Sequence, residues 1–144
     1  NSMFLTIDGE IIDFFNGQND LAQRCVKFVG NPADRIQEDY LRILRYFRFY
    51  SRVSLSGHDH DIAHLEAIKD NASGLKDISG ERIWSELHKI IDQRFNFEFF
   101  EHAYKLGFAQ YIGLPDNGLE GKIESYQRVA ENKRYAMVFF GKRK

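Results

Sequence analysis

The sequence is poor in cysteine and proline, with Cys25 alone and only Pro32 and Pro115 among 144 residues. A single cysteine can form no intrachain disulfide and offers no thiolate cage, so a reducing intracellular setting is expected. Long apolar runs are also missing. The longest, such as Ile11-Ile12 and Ala136 to Phe140, fall far short of the roughly 20 residues needed to cross a bilayer. Neither an Arg-rich amphipathic leader nor a signal peptide is evident. There is no excess charge of one sign either: 20 Lys+Arg against 21 Asp+Glu leave a net charge of -1. That excludes global attraction to nucleic acid, and any RNA binding must use a local positive cluster. What is abundant is large apolar side chains, with 13 Phe, 7 Tyr and 43% hydrophobic residues. This composition supports a packed core and argues against disorder, and the length suits one domain or two small lobes.

The first residues read as strand. Met3 to Ile7 and Glu10 to Phe15 flank Asp8-Gly9, a hairpin signal of the type I′ kind, which needs positive φ at both central positions. A lone hairpin is marginal in water, so these strands are expected to belong to a larger sheet and the chain to be a piece of something longer. Turn residues Asn16 to Asp20 follow, then a helical turn at Leu21 to Arg24 and a short strand, Val26 to Val29, ended by Gly30-Asn31-Pro32. From Ala33 onward the pattern is helical, with segments expected at about 33–52, 61–72, 79–93, 97–106 and 118–131. Ser79 suits an N-cap with Glu81 in the first turn, Trp84 reads as core, and Gly107 suits a C-cap. The fold class is thus mainly α-helical with a short N-terminal β remnant.

The most informative stretch is Asp34 to Arg52. On a helical wheel Ile36, Tyr40, Ile43, Leu44 and Phe47 share one arc, the expected buried face. The opposite side carries Arg35, Glu38, Asp39, Arg42 and Arg45, with Arg48 at the edge and Arg52 near Arg45. Read blandly, this is a solvated ladder of i,i+3 and i,i+4 pairs: Arg35 with Asp39, Glu38 with Arg42, and Asp39 with Arg42. A sharper reading notes that the acids stop at Asp39 while Arg42, Arg45, Arg48 and Arg52 continue unopposed. Guanidiniums so spaced suit phosphates, and a carboxylate fixed beside them can complement the Watson–Crick edge of a base. Spacing alone leaves these two readings level.

Val29-Gly30-Asn31-Pro32-Ala33-Asp34-Arg35-Ile36-Gln37-Glu38-Asp39-Tyr40-Leu41-Arg42-Ile43-Leu44-Arg45 and the following Tyr46-Phe47-Arg48-Phe49 closely resemble the neck signature of class II tRNA nucleotidyltransferases, the CCA-adding enzymes. The core of that signature, Glu-Asp-x-x-Arg, matches Glu38, Asp39 and Arg42. Asp13 to Leu21 looks like the family's hinge block and Gly74 to Leu87 like its later neck motif, in the same order and spacing. Tyr111 to Pro115 looks like the eukaryotic branch. The resemblance covers about residues 1–115.

What the resemblance implies is specific. Residues 1–30 would be the end of a nucleotidyltransferase head, 31–94 a nucleotide-selecting helical neck, and 95–144 the start of a helical body. The reaction would be addition of CMP and then AMP, from CTP and ATP, to the 3′ end of tRNA. Asp39 and Arg42 would pair with the base, supported by Glu38, Arg45 and Arg48, so that uracil and guanine, which present a carbonyl in place of the amine, are rejected. Asp13, Gly17 and Asp20 would form a hinge in which the two carboxylates bond backbone N–H groups, while Ser79, Glu81 and Arg82 would brace the neck. The Mg²⁺-binding carboxylates of the family's head are expected upstream of Asn1, leaving this stretch inactive by itself. Asp8 and Asp13 read as turn residues rather than substitutes for them. The implied setting is mitochondrial or cytoplasmic-nuclear in a eukaryote, and a neck parted from its head would expose apolar faces favouring non-native self-association.

Two alternatives remain open. One is a non-catalytic helical RNA-binding or scaffolding module. The other is a metal phosphohydrolase using His58, His60 and His64, against which Asp61 is explained as an N-cap. His88 and His102 read as surface or partly packed residues.

Overall fold

Apolar residues recurring at helical spacing need one another for burial, and the computed structural model, described here over residues 3–115, gathers them into one continuous core. Strands β1 (Met3–Leu5) and β2 (Ile11–Asp13) precede helices α1 (Gly17–Ala22), α2 (Pro32–Glu38), α3 (Arg42–Val53), α4 (Ile62–Asn71), α5 (Gly80–Ile91) and α6 (Asn96–Lys105). Single 3-10 turns at Ala72–Asp77 and Ala109–Ile112 complete the packing. The strands pair antiparallel with Phe4 opposite Ile12. Their connection differs from the expected type I′ turn. Only Gly9 has positive φ (+87°), Gly9 N–H donates to Thr6 O and Thr6 N–H to Glu10 O. This is a three-residue loop with glycine at the left-handed position. Phe4, Leu5, Ile7 and Ile11 of the hairpin remain exposed.

The long helix expected over 33–52 is in fact two. Asp39 adopts an extended conformation (φ -159°, ψ 104°), its N–H still donating to Ile36 O at the end of α2. Its carboxylate Oδ1 accepts Leu41 N–H at 3.2 Å, and its carbonyl accepts Arg42 N–H. Asp39 therefore closes α2 and caps the turn that starts α3, a role suited to a short acceptor side chain. Tyr40, at the break, packs its ring onto Gly74, where an added Cβ would lie 2.1 Å from ring carbons. Only a glycine permits that approach.

Four of the five residues of the expected buried arc, Ile36, Ile43, Leu44 and Phe47, are buried and Tyr46 and Tyr50 join them, while Tyr40, at the break, is only partly buried. Helix α2 lies on α4 and α3 on α5. The expected strand at Val26–Val29 is irregular chain. Val26 and Phe28 still pack on the core, and the Phe28 ring stacks on Tyr46 with centroids 5.2 Å apart. Packing onto a helix, without a neighbouring strand, gives that segment no ladder to join. Asp61 caps α4 by accepting Ala63 N–H at 2.8 Å, Ser79 caps α5 by accepting Arg82 N–H, and Gly107 (φ +79°) follows the last turn of α6, all as expected. Trp84 is a correction: it lies on the outer face of α5, 39% exposed, with its ring edge-on to His88 one turn later. The segment expected to be helical at 118–131 lies outside the described residues.

Candidate functional site

A groove of about 690 Å³ runs between the irregular segment 26–30 and the adjoining faces of α2 and α3. Lys27, Arg35, Arg42 and Arg45 line it with charge, and Phe15, Phe28, Tyr46 and Phe49 line it with rings. Arg42 and Arg45 fall on this face because α3 turns its apolar arc to the core. Arg35 joins them from α2 across the break.

The polar contacts around the groove differ from a simple ladder. Glu38 Oε2 lies 2.6 Å from Arg35 Nη1 and 2.5 Å from Arg42 Nη1, and Arg42 also donates to Arg35 O at 2.7 Å. The donated hydrogen bonds, Arg42 first, hold the Glu38 carboxyl below its ordinary range. Asp39 does not pair with Arg35 as expected, nor do its side-chain bonds involve Arg42. The break swings it towards α5, where Oδ2 accepts from Arg82 Nη2 at 2.9 Å. Arg45 lines the groove and has no ion-pair partner among the described residues.

Arg48 is the main departure from the expected row of unopposed arginines. Its Nη1 lies 2.9 Å from Glu86 Oε2, with side-chain exposures of only 11% and 9%, and Lys89 joins Glu86 from one turn further along α5. Burial lowers the Arg48 pKa against the opposing pull of Glu86. Arg48 therefore ties α3 to α5 and does not line the groove. Helix periodicity could not reveal this, because the partner lies 38 residues away.

Asp13 bonds backbone N–H groups, as expected. Its carboxylate accepts the N–H groups of Phe15, Gly17 and Gln18, the last two at 2.8 Å, and these bonds lower its pKa, Gln18 first. Gly17 is buried beneath them. Asp20 differs, since its side chain forms an ion pair with Lys27 at 2.7 Å rather than capping the backbone. Lys27, Phe28 and Phe49 were missed by sequence reasoning, although alternating basic and apolar residues at Val26-Lys27-Phe28 were a visible signal.

The His58–His64 stretch is not a free polar loop. His60 stacks on Tyr50 at 3.7 Å and meets His102 edge-on at 4.6 Å. Gly57 O lies 3.2 Å from His60 Nε2 and the Tyr46 hydroxyl 2.9 Å from Nδ1. A carbonyl can only accept, so Nε2 carries the proton and Nδ1 accepts from Tyr46. Both nitrogens are thus used internally, and burial pushes the pKa down to about 4. His102, expected to be at the surface or partly packed, is buried. Among the described residues no group of three or more His, Cys, Asp or Glu converges as a metal site.

A groove of guanidiniums and rings beside a capped carboxylate, set in stacked helices, has the chemistry of a nucleotide- or RNA-binding helical module. Residues 61–116 match the family described as "Probable RNA and SrmB- binding site of polymerase A". The chain is 55% identical over 129 residues to the mitochondrial CCA tRNA nucleotidyltransferase 1 of Danio rerio, covering 90% of this chain and 29% of that protein. Against the Homo sapiens protein of the same name it is 52% identical over 132 residues, covering 92% of this chain and 30% of the relative. The CCA-adding enzyme of Bacillus subtilis is 39% identical over 94 residues, covering 65% of this chain and 23% of that protein. The chain belongs to the CCA tRNA nucleotidyltransferase family, and spans about 30% of the length of its vertebrate relatives.

Proposed function

We propose that this chain forms the nucleotide-selecting neck of an enzyme that adds C, C and A to tRNA 3′ ends from CTP and ATP. The carrying observation is the groove, where Arg35, Arg42 and Arg45 adjoin stacked aromatic rings and Asp39 accepts Leu41 N–H in the turn leading into the helix that supplies two of those arginines. Guanidiniums attract the triphosphate, the rings receive the base, and Asp39 with Arg42 reads its edge. Cytosine and adenine share an exocyclic amine that a carboxylate can accept from, and a ring acceptor that a guanidinium can donate to. Glu38 holds Arg42 and Arg35 in register. Arg48 acts at one remove, by fixing α3 against α5.

In this reading residues 1–30 close the nucleotidyltransferase head, 31–94 are the neck and 95–144 begin the body. Asp13, Gly17 and Asp20 flex as the pocket is remade for the next nucleotide, and Lys27 follows Asp20 through their ion pair. Ser79 and Glu81 support the start of α5. The tRNA lies against residues 61–116, by analogy with the family that these residues match. Mg²⁺ would be held by residues other than those described. The names of the vertebrate relatives favour a mitochondrial setting.

The test is incorporation of labelled CTP and ATP into tRNA lacking its 3′ end, by the full-length gene product and its Arg42→Ala variant. Addition of C, C and A by the parent, with about 10²-fold loss of kcat/KM for both nucleotides in the variant, is the expected result. Addition by both proteins at equal rates would refute the role of the groove.

A further inference from the structure

Arg82 stands 43 residues from Asp39 along the chain, on the exposed first turn of α5, yet donates from Nη2 to Asp39 Oδ2 at 2.9 Å. The two side chains are 51% and 26% exposed. A pair so open to water contributes little to stability. What it does instead is complete the fixing of one carboxylate. Oδ1 is held by Leu41 N–H at the start of α3, and Oδ2 by Arg82. With both oxygens tethered, the carboxylate plane is set from two elements at once.

Each carboxylate oxygen has two lone pairs, so these two hydrogen bonds leave acceptor capacity on both oxygens. Arg82 therefore restrains Asp39 without consuming its ability to accept from a base amine. A freely rotating Asp39 would hold no acceptor in place for the amine, and so would discriminate less against the carbonyl of uracil or guanine. The backbone reinforces the aim: Asp39 O accepts Arg42 N–H at 3.0 Å, linking the carboxylate to a groove-lining arginine.

We propose that Arg82 is a positioning residue for nucleotide choice, acting through Asp39 to maintain discrimination for an exocyclic amine over a carbonyl. This rests on the nucleotide-selecting role proposed above for Asp39.

The experiment compares kcat/KM for CTP with that for UTP, on tRNA lacking its 3′ end, in the full-length gene product. Arg82→Gln is expected to lower the CTP:UTP ratio about tenfold while leaving KM for tRNA unchanged. Arg82→Lys, which keeps the charge but not the fork, should fall between parent and Arg82→Gln. Asp61→Ala removes the cap from α4 and touches neither Asp39 nor Arg82, and should lower thermal stability without moving the ratio. In an Asp39→Ala background, Arg82→Gln should change the ratio no further. If Asp39→Ala lowers the ratio and Arg82→Gln does not, the positioning role is refuted while the reading of Asp39 stands. A fall in Asp61→Ala equal to that in Arg82→Gln would likewise refute it, by showing a merely structural effect. An unchanged ratio in Asp39→Ala overturns the nucleotide-selecting reading and this inference together.

Discussion

The start and the middle of α3 carry the same residue type in opposite circumstances. At its start Arg42 is half-exposed, shares Glu38 with Arg35 and lines a groove. Two turns later Arg48 is buried against Glu86 of the neighbouring helix. Regular spacing of arginines thus says nothing about their roles until the packing of the helix is known. Burial turns one guanidinium into a structural bolt, because an unpaired charge there costs several kcal/mol, whereas its neighbour remains available to an anion.

The widest way to open this contrast is to remove one partner of the buried pair. Glu86→Leu should destabilise the protein by about 3–5 kcal/mol, since Arg48 would stay buried without its counter-charge. Arg42→Ala should cost less than about 1 kcal/mol. Urea denaturation of both variants checks this, and equal losses would erase the distinction. A smaller effect is expected at the break between α2 and α3. Gly74→Ala puts a Cβ onto the Tyr40 ring, with an expected cost of about 1–3 kcal/mol in the same measurement.

The aromatic side of the core adds a pH dependence of its own. His60, His64 and His102 all have pKa values lowered by burial, His60 to about 4. Unfolding restores them to about 6.5, so between about pH 6.5 and 4 the unfolded chain binds more protons and is favoured. Stability from this source is complete above about pH 6.5 and declines as pH falls towards 4. The melting temperature should drop over that window, and His60→Gln should flatten the decline. A parent protein equally stable at pH 7 and 4.5 would contradict the account.

Much of the helical order was legible in the sequence because it rests on local chemistry. Asp61 and Ser79 mark N-caps, Gly107 a helix end, and the Ile36–Phe47 arc a buried face, each through residues within a few positions of one another. The failures share a different cause. The break at Asp39 arises where a capping carboxylate competes with helix continuation and Gly74 makes room for Tyr40 from a distant segment. Arg48, His102 and Trp84 were misplaced because their environments depend on how helices dock, which the pattern of one helix does not contain. The groove was half legible: Arg42 and Arg45 were expected there, whereas Arg35, Lys27, Phe28 and Phe49 join only once segment 26–30 lies along α3. Asp39 was expected beside Arg42, and its contact with Arg82 needed the fold.

The most direct test of the nucleotide-selecting role is the relative use of CTP, ATP, UTP and GTP by the full-length gene product carrying Asp39→Ala, alongside its affinity for tRNA. The account predicts that the preference for CTP and ATP falls by about tenfold or more, while tRNA binding stays within about twofold. An unaltered nucleotide preference, or a loss confined to tRNA affinity, would contradict the claim that this end of α3 reads the base.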